Sequence, residues 1–303
     1  MRGLDLSALA DAKRALGVRV SVALPARNEE PTVGHIVASV RRTLVERTQL
    51  VDEVVVLDDG STDATAEAAR WEGARVTAVE DVLPDLPPGS GKGNALWKSL
   101  FVAEGDLIVW CDADVLNFGP HFVTRLLEPL LTDPEIGFVK SYYRRPLLSE
   151  PVGGGRVTEL MARPLLCSLF PHLAHFVQPL SGEYAGRRAL LEEVPFVMGY
   201  GVELGLLFDL AERFGLDAIV QRDLGVREHR NRPLDELAPQ AMAILLTALR
   251  RAGMPASALS STLMQFGDRR DVECELVPIE IRERPPMITV REYREKFCRE
   301  LSA

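Results

Sequence analysis

Two aspartates separated by one alanine, Asp112 and Asp114, are the residues of this chain whose types and spacing point most directly to chemistry. They follow an apolar run at residues 107–111, which is typical of a buried strand. Residues i and i+2 of an extended chain point the same way, so both carboxylates can approach one oxygen-preferring divalent cation and, through it, a diphosphate. Such a pair can also be a turn or a helix cap, and the rest of the sequence has to decide between these interpretations.

A glycine-rich segment at residues 89–94 carries Lys92 and resembles a phosphate-binding loop. It is not a P-loop, because that motif needs a glycine where Leu86 stands and a serine or threonine where Gly93 follows the lysine. Two interpretations remain: a flexible loop that brings the Lys92 ammonium close to a phosphate, or a solvated surface turn.

A second glycine-rich segment, GGGRVT at residues 153–158, precedes a predicted helix. Amide groups and the helix dipole favour anions at such a position, while Arg156 adds a bidentate donor and Thr158 a hydroxyl. The segment predicts a phosphate or carboxylate site, with a plain glycine turn as the alternative.

Two further polar residues each allow a structural and a functional interpretation. His229 lies in VREHRNRP, residues 226–233, which is either a solvated basic loop or a metal-binding imidazole beside anion-binding arginines. Glu203 begins an otherwise apolar helix, where the dipole alone favours an acid, and where a carboxylate can also bind sugar hydroxyls.

An alternation of strands and helices has to hold these residues. The sequence predicts strands at residues 20–24, 53–57, 75–77, 107–111 and 138–143. It predicts helices at 32–46, 64–71, from 94, from the glycine turn to about 169, at 203–214 and at 234–251, followed by a less regular tail with a charged amphipathic end at 290–301. This order indicates an α/β fold, a mostly parallel sheet with helices on both faces. Ligands bind at the carboxyl ends of such strands, so we expect the loops 25–30, 58–63 and 112–114 along one edge.

Bulk composition narrows the class of protein. The 303 residues carry a net charge of −9, which argues against general binding to nucleic acid or an anionic membrane. The four cysteines are scattered without a C-x-x-C pair, as in reduced cytosolic proteins. We find neither a signal-peptide pattern nor an apolar run approaching ~20 residues, and we therefore expect a cytoplasmic enzyme without a membrane partner. The three tryptophans, Trp71, Trp97 and Trp110, are predicted to be core residues.

Together these segments resemble one enzyme family. LPARNEE (residues 24–30), LDDGSTD (57–63) and DAD (112–114) are similar to the nucleotide-sugar-binding half of GT-A glycosyltransferases, a pattern that polyprenyl-phosphate sugar transferases share. The later segments GGGRVTEL (153–160), QPLSGEY (178–184), GYGVE (199–203) and HRNRPL (229–234) resemble the glucosyl-3-phosphoglycerate synthases and the closely similar mannosyl-3-phosphoglycerate synthases. The resemblance covers roughly residues 18 to 250.

The resemblance implies a fold and an organisation of the chain. It implies a single GT-A domain, Rossmann-like, over residues 1–303, with a nucleotide-sugar-binding part at 18–116, an acceptor-binding elaboration at 117–252 and a C-terminal arm at 253–303. Two fused halves meeting near Asp112 are the alternative. The Pro-Pro pair and amphipathic end of the arm suggest packing on a second subunit, and we expect a homodimer.

The resemblance also implies a role for individual residues. Contacts to the donor are expected from Pro25, Ala26, Asn28, Glu29, Asp59, Lys92, Asp112 and the Leu180 backbone. The acceptor is expected to contact Gly155, Arg156, Thr158 and Asn231. Glu203 would meet the sugar, while Asp114 and His229 would hold Mg²⁺ or Mn²⁺, which makes these three the expected catalytic residues.

The implied reaction moves glucose or mannose from UDP-glucose, GDP-mannose or GDP-glucose to 3-phosphoglycerate, with retention of configuration. A double displacement would need a carboxylate nucleophile, for which Glu203 is the candidate; we favour front-face attack, with Glu203 binding sugar hydroxyls. A lipid-linked sugar transferase and a sugar-phosphate nucleotidyltransferase that releases pyrophosphate are the alternative enzymes. A catalytically silent binding module is disfavoured, because metal, donor and anion sites are predicted together.

Overall fold

A computed structural model describes residues 5–147, 150–228, 233–266 and 274–297 of the chain. Its α-helices are α1 (Leu6–Leu16), α2 (Glu30–Val40), α3 (Thr65–Trp71), α4 (Lys92–Val102), α5 (His121–Thr132), α6 (Arg163–Leu169), α7 (Arg188–Leu191), α8 (Val202–Phe214), α9 (Leu234–Arg251) and α10 (Arg291–Phe297). π-helical turns lie at Arg41–Arg47 and Thr158–Ala162. Short 3₁₀ turns lie at Val79–Asp81, Pro171–Leu173, Leu216–Ala218, Ala256–Ala258 and Met287–Thr289.

The strands are β1 (Val20–Ala26), β2 (Glu53–Asp58), β3 (Arg75–Ala78), β4 (Leu107–Trp110), β5 (Phe138–Arg144), β6 (Pro146–Leu147), β7 (Glu150–Gly153), β8 (Tyr184–Arg187), β9 (Phe196–Val197), β10 (Ile219–Val226), β11 (Thr262–Phe266), β12 (Cys274–Pro278) and β13 (Glu283–Arg284). Seven of them form one sheet in the order β10-β5-β8-β4-β1-β2-β3. Strand β8 runs antiparallel to both of its neighbours, and the other pairings of this sheet are parallel. The predicted α/β class with a mostly parallel sheet is confirmed.

Strand β1 is apolar at successive positions because both of its faces are covered. Val22 and Leu24 pack in one core cluster with Ile36 of α2. Ala23 points the other way and packs in a second cluster with Trp97 of α4. The two clusters on opposite faces fix the sheet between two layers of helices.

The strands end together at the edge where the polar loops begin. Ala26, the last residue of β1, is in register with Asp58 of β2, while Ala23 is in register with Trp110 of β4. Because β8 is antiparallel, its first residue, Tyr184, lies beside Trp110. The carboxyl ends of the parallel strands and the amino end of β8 therefore meet at one edge.

Several expectations about single elements need correction. Strands β8 and β10 were not predicted, and the tail predicted to be irregular contains the hairpin β11–β12. The helix predicted at residues 32–46 begins at Glu30 and continues beyond Val40 as a π-helical turn. Trp97 and Trp110 are fully buried, but the prediction for Trp71 is wrong, because it ends α3 on the solvent side with 89% of its surface exposed.

Candidate active site

Asp112 and Asp114 lie in the loop after β4. The Thr32 hydroxyl of α2 donates to the Ala113 carbonyl over 2.6 Å and holds this loop in place. One guanidinium nitrogen of Arg227 contacts both aspartates, at 2.8 Å from Asp112 Oδ2 and 2.7 Å from Asp114 Oδ1. Two carboxylate oxygens of the D-x-D pair thus converge on one positively charged atom.

Arg227 also forms an ion pair with Glu183. Its Nε donates to Glu183 Oε1 over 2.8 Å, and both side chains are buried, with 2% and 0% of their surface exposed. Burial alone would lower the pKa of Arg227, but Glu183 and neighbouring acidic groups raise it well above its ordinary value. Arg227 therefore carries a fixed charge at the end of β10.

Lys92, the first residue of α4, joins the aspartates to a second helix. Its Nζ contacts Asp112 and lies 2.7 Å from Glu203 Oε1, in the first turn of α8. Burial opposes the charge on Lys92, yet Asp112 and Glu203 raise its pKa well above the ordinary range. Burial likewise opposes the charge on Asp112, but Lys92 and Arg227 hold its pKa below the ordinary value. Lys92 and Asp112 therefore remain ionised near neutral pH.

The direct contacts of this cluster join four carboxylates, Asp112, Asp114, Glu183 and Glu203, to two cations, Lys92 and Arg227. Two further cations, the buried Lys140 and Arg145, act electrostatically on the same carboxylates and offset their remaining negative charge. Carboxylate oxygens are the ligands that Mg²⁺ and Mn²⁺ prefer, so the convergence of Asp112 and Asp114 indicates where a divalent cation would be held.

The loop that carries Lys92 is packed against the protein. Gly91 adopts φ +88°, and its N–H donates to Asp59 Oδ2 over 2.9 Å. A Cβ on Gly93 would lie 1.8 Å from the Val197 carbonyl oxygen, so glycine is required for the close approach of α4. Burial raises the pKa of Asp59 even though the Gly91 amide lowers it. The solvated-turn interpretation of Lys92 is wrong, since only 17% of its side chain is exposed.

A cavity of about 420 Å³ opens onto this cluster. The residues expected at the donor that line it are Pro25, Ala26, Glu29, Asp59, Lys92, Asp112 and Leu180. The residues expected at the acceptor that line it are Gly155, Arg156 and Thr158, and Asp114 and Glu203 line it as well. Segments far apart in the sequence are thus brought to one cavity.

Three expected site residues are not among those lining the cavity. Asn28 instead joins two loops: in a left-handed conformation, φ +57°, its Oδ1 accepts from the Thr62 amide over 2.8 Å while its own N–H donates to Ser61. His229 and Asn231 lie outside the described residues, so their expected roles at the metal and the acceptor remain predictions.

The glycine turn at residues 154–158 also lines the cavity. Gly155 has φ +77°, and Gly154 donates its N–H to the Arg145 carbonyl over 3.1 Å. A side chain at Gly154 would collide with the Arg145 backbone, so the turn lies directly against the end of β5. Thr158 is buried and starts a π-helical turn that continues as α6 to Leu169, where the predicted helix also ends.

Sequence reasoning missed several residues of this site. Tyr200 and Gln240 line the cavity, and Glu183 holds Arg227. The sequence places Arg227 only among the anion-binding arginines of residues 226–233 and does not predict its ion pairs with the aspartates. Arg227 directly follows β10, so recognising that strand would have placed it at the edge. The strand escaped prediction because VQRDLGV, residues 220–226, lacks the continuous apolar pattern of the other strands.

Within the described ranges, no group of three or more His, Cys, Asp or Glu side chains is arranged to hold a metal ion. A complete ligand set therefore requires something beyond the two aspartates, and His229 lies outside those ranges. In the same part of the chain, no helix is both long and apolar enough to cross a bilayer.

Comparison with known proteins identifies the family. The sequence model for glycosyl transferase family 2 matches residues 21–153. The glucosyl-3-phosphoglycerate synthase of Petrotoga mobilis is 44% identical over 98% of this chain and 94% of its own. The Mycolicibacterium smegmatis enzyme of that name is 50% identical over 91% of each chain.

Solved structures agree over nearly the whole fold. A crystal structure of glucosyl-3-phosphoglycerate synthase from Mycobacterium tuberculosis in complex with Mn²⁺, UDP and phosphoglyceric acid is 48% identical, covers 95% of both chains and has a TM-score of 0.86. A structure of that enzyme with Mg²⁺ and UDP has the same identity and TM-score. The described chain has the GT-A-like architecture of these proteins, with the charged cluster and cavity at the carboxyl edge of its sheet. The chain is a glycosyltransferase and belongs to the glucosyl-3-phosphoglycerate synthase family.

Proposed function

We propose that this glycosyltransferase transfers glucose from UDP-glucose to 3-phosphoglycerate with retention of the anomeric configuration. One observation carries the proposal: residues expected at the donor and residues expected at the acceptor line the same cavity, and Lys92 and Glu203 are in contact within it. The relatives support the substrates, because structures of the Mycobacterium tuberculosis enzyme contain UDP-glucose and phosphoglyceric acid.

The donor lies along the strand ends. Pro25, Ala26 and Glu29 after β1 and Asp59 after β2 contact the nucleotide, and Lys92 faces the diphosphate. A leaving nucleoside diphosphate develops negative charge, which a positioned ammonium group stabilises. The buried position of Lys92 between Asp112 and Glu203 supports this role, because the ammonium is held in one place before the substrate binds.

A divalent cation, Mg²⁺ or Mn²⁺, would be held by Asp114 and His229, with Asp112 beside it. Support comes from the converging oxygens of Asp112 and Asp114. When bound, the ion supplies Lewis-acid neutralisation of the diphosphate. Structures of the Mycobacterium tuberculosis enzyme contain Mn²⁺ or Mg²⁺ together with UDP.

The sugar lies between Glu203 and the Leu180 backbone. Glu203 is paired with Lys92, which lowers its power as a nucleophile and favours a role in binding sugar hydroxyls. Retention then follows from front-face attack, with the acceptor hydroxyl hydrogen-bonded to the departing phosphate. This assignment makes Glu203 a catalytic residue through substrate contact, without a covalent glycosyl-enzyme.

The acceptor occupies the glycine-turn side of the cavity. A phosphate and a carboxylate both need fixed donors, and Arg156, Thr158, the amides near Gly155 and Asn231 supply them. The described members of this set line the same cavity as the aspartates but belong to a different segment, so each anionic substrate has its own set of donors.

The experiment that tests the function is a donor panel with 3-phosphoglycerate and Mg²⁺ or Mn²⁺. UDP-glucose, GDP-glucose and GDP-mannose are compared by released nucleoside diphosphate, product mass and the anomeric signal of the product. We expect acceptor-dependent turnover to be fastest with UDP-glucose. Faster turnover with GDP-mannose would make the enzyme a mannosyl transferase, and no turnover with any donor would remove 3-phosphoglycerate as the acceptor.

The homodimer also remains a proposal. On hairpin β11–β12, Met264 is in register with Leu276 and Phe266 with Cys274. Met264, Phe266 and Leu276 each expose more than half of their surface on one face of this hairpin. The other face of the hairpin is covered, because Leu263 and Val277 pack against the cluster that contains Ala243 and Leu246 of α9. The exposed apolar face favours a partner, so we expect a second copy of the chain to cover it. Sedimentation of the intact protein and of Phe266→Glu would test this.

A further inference from the structure

The loop that carries Lys92 is supported by the far end of the chain. Strand β13 pairs antiparallel with β9, so that Arg284 lies opposite Phe196. The Met198 amide, just after β9, donates to the Arg282 carbonyl over 2.9 Å. We call residues 282–285 the C-terminal brace; they lie almost 200 positions after the loop that they support.

Arg284 is the buried side chain of this brace. Only 5% of its surface is exposed, and its Nε donates to Asn94 Oδ1 over 2.9 Å. Its guanidinium carbon lies 5.2 Å from the centre of the Trp97 ring. Asn94 and Trp97 both belong to α4 and lie within two turns after Lys92, so their contacts with Arg284 hold the first turns of this helix in place.

Asn94 passes this support to the loop. Its Nδ2 donates to the Gly89 carbonyl over 2.9 Å, and its backbone N–H donates to Met198 over 3.0 Å. Lys92 lies between Gly89 and Asn94 in the sequence, so the hydrogen bond from the Asn94 side chain to Gly89 joins the two ends of the loop that carries Lys92. A neighbouring contact acts in the same way, since Arg282 donates to the Pro88 carbonyl over 3.1 Å.

The arrangement is costly, which argues against a purely stabilising role. Among the described residues, one terminal nitrogen of Arg284 is buried without a hydrogen-bond partner, and burial lowers the pKa of this guanidinium. Buried charges of this kind often destabilise a fold relative to apolar side chains of similar volume. The unpartnered nitrogen also lies 2.6 Å from the place that a Cβ on Gly89 would occupy, so the charge and the loop are closely fitted.

We infer that Arg284 is a positioning residue, which acts through Asn94 to hold the glycine-rich loop and the Lys92 ammonium in the geometry needed at the donor diphosphate. The effect of Arg284 on the donor diphosphate rests on the proposed function. Its effect on the glycine-rich loop depends only on contacts within the protein, so the two effects can be tested separately.

The first test is hydrogen exchange of the ligand-free protein, followed by mass spectrometry of peptides covering residues 83–95. Loss of one buried hydrogen bond predicts about tenfold faster exchange of this loop in Arg284→Gln. The matched control is Arg251→Gln: Arg251 pairs with Asp209 and with Glu283 of the same brace but makes none of the contacts to Asn94. We expect the control to leave the loop unchanged.

The second test separates substrate constants. We expect Arg284→Gln to raise the KM for UDP-glucose about tenfold and to leave the KM for 3-phosphoglycerate within about twofold of the wild type. Arg284→Lys keeps the positive charge, so its KM for UDP-glucose should rise less. Asn94→Ala should reproduce the defect, and the double variant should be no worse than either single one. If Arg284→Gln does not fold, Asn94→Ala and Arg284→Lys carry both tests.

Unchanged loop exchange and unchanged donor KM would overturn the inference. Faster exchange spread evenly over the whole chain, with both KM values altered together, would also overturn it, since it would mean a general loss of stability. Suppose that Arg284→Gln speeds hydrogen exchange of the loop, but the wild-type protein transfers no glucose to 3-phosphoglycerate. This result would support the positioning role of Arg284 and reject the proposed function.

Discussion

The two walls of the cavity are built differently. On the side proposed to bind the donor, which we call the donor edge, the loops after β1, β2 and β4 and the start of α4 carry charged side chains that are already paired: Lys92 with Asp112 and Glu203, and Arg227 with both aspartates. On the side proposed to bind the acceptor, which we call the acceptor wall, residues 154–158 and the first half of α9 supply the surface, with a glycine turn and a π-helical turn. The donor edge is an electrostatic framework that exists before binding, whereas the acceptor wall offers mainly backbone amides and a few side chains.

The sheet explains the difference. The donor edge draws on strands whose register is fixed by buried side chains on both faces, and β8 enters antiparallel between β4 and β5 so that Glu183 meets Arg227. The acceptor wall depends on connections outside the sheet. A change at the donor edge should therefore affect both folding and catalysis, while a change at the acceptor wall should affect one substrate constant.

The largest effect is expected from Arg227→Met. Glu183 and the aspartates would lose a shared cation, so we expect kcat/KM to fall about 1,000-fold and the free energy of unfolding to fall by about 3 kcal/mol. Arg222→Gln on the same strand is the control, because Arg222 pairs with Glu128 away from the cavity. Steady-state kinetics and urea unfolding measure the two quantities.

Adding Glu183→Gln to Arg227→Met sharpens the test. The double variant removes the unpaired buried carboxylate, so stability should partly return while activity does not. Recovery of activity together with stability would mean that Arg227 serves only the fold, and the proposed contrast between the two walls would fail.

Glu203→Gln should have the next largest effect. The amide keeps the shape of the side chain but weakens its contacts to Lys92 and to sugar hydroxyls, so we expect kcat to fall about 100-fold. Front-face attack predicts that no covalent glycosyl-enzyme accumulates. Intact-protein mass spectrometry of the wild type incubated with donor in the absence of acceptor is the measurement, and a glucosyl adduct on Glu203 would contradict the mechanism.

Arg156→Ala probes the acceptor wall. We expect the KM for 3-phosphoglycerate to rise about 30-fold, while the KM for the donor and the stability remain close to those of the wild type. Arg163→Ala is the matched control, because Arg163 follows in the same segment but pairs with Glu159 and does not line the cavity. An equal rise in both KM values would show that the walls are not independent.

The sequence was sufficient for features that depend on local patterns. Apolar runs ending in polar loops predicted the sheet edge, and the D-x-D pair indicated its most acidic point. The pairing of Arg227 with Asp114 could not be predicted, because it joins residues 113 positions apart through a strand without a continuous apolar pattern. The support of Lys92 by Arg284 is likewise a product of tertiary packing, since β13 is only two residues long.

The smallest expected effect concerns Lys140, a buried lysine whose contacts differ from those of Lys92. It donates to the Ser181 carbonyl over 2.7 Å and lies 4.4 Å from the centre of the Tyr184 ring, without a directly bonded carboxylate among the described residues. Burial lowers its pKa to about 7 from an ordinary value of 10.5. Between these values the unfolded chain binds more protons than the folded one, so the contribution of Lys140 to stability rises with pH in this window.

Lys140→Met removes this dependence. The free energy of unfolding of the wild type relative to the variant should increase from about pH 7 to about pH 9 by at most about 1.4 kcal/mol per pH unit, and should be flat below that window. Lys98→Met should show the same sign with a smaller slope, since Lys98 is less deeply buried and burial also lowers its pKa. Urea unfolding across this range measures both. A constant difference would mean that Lys140 stays charged in the fold, held, like Lys92, by the carboxylates of the donor edge.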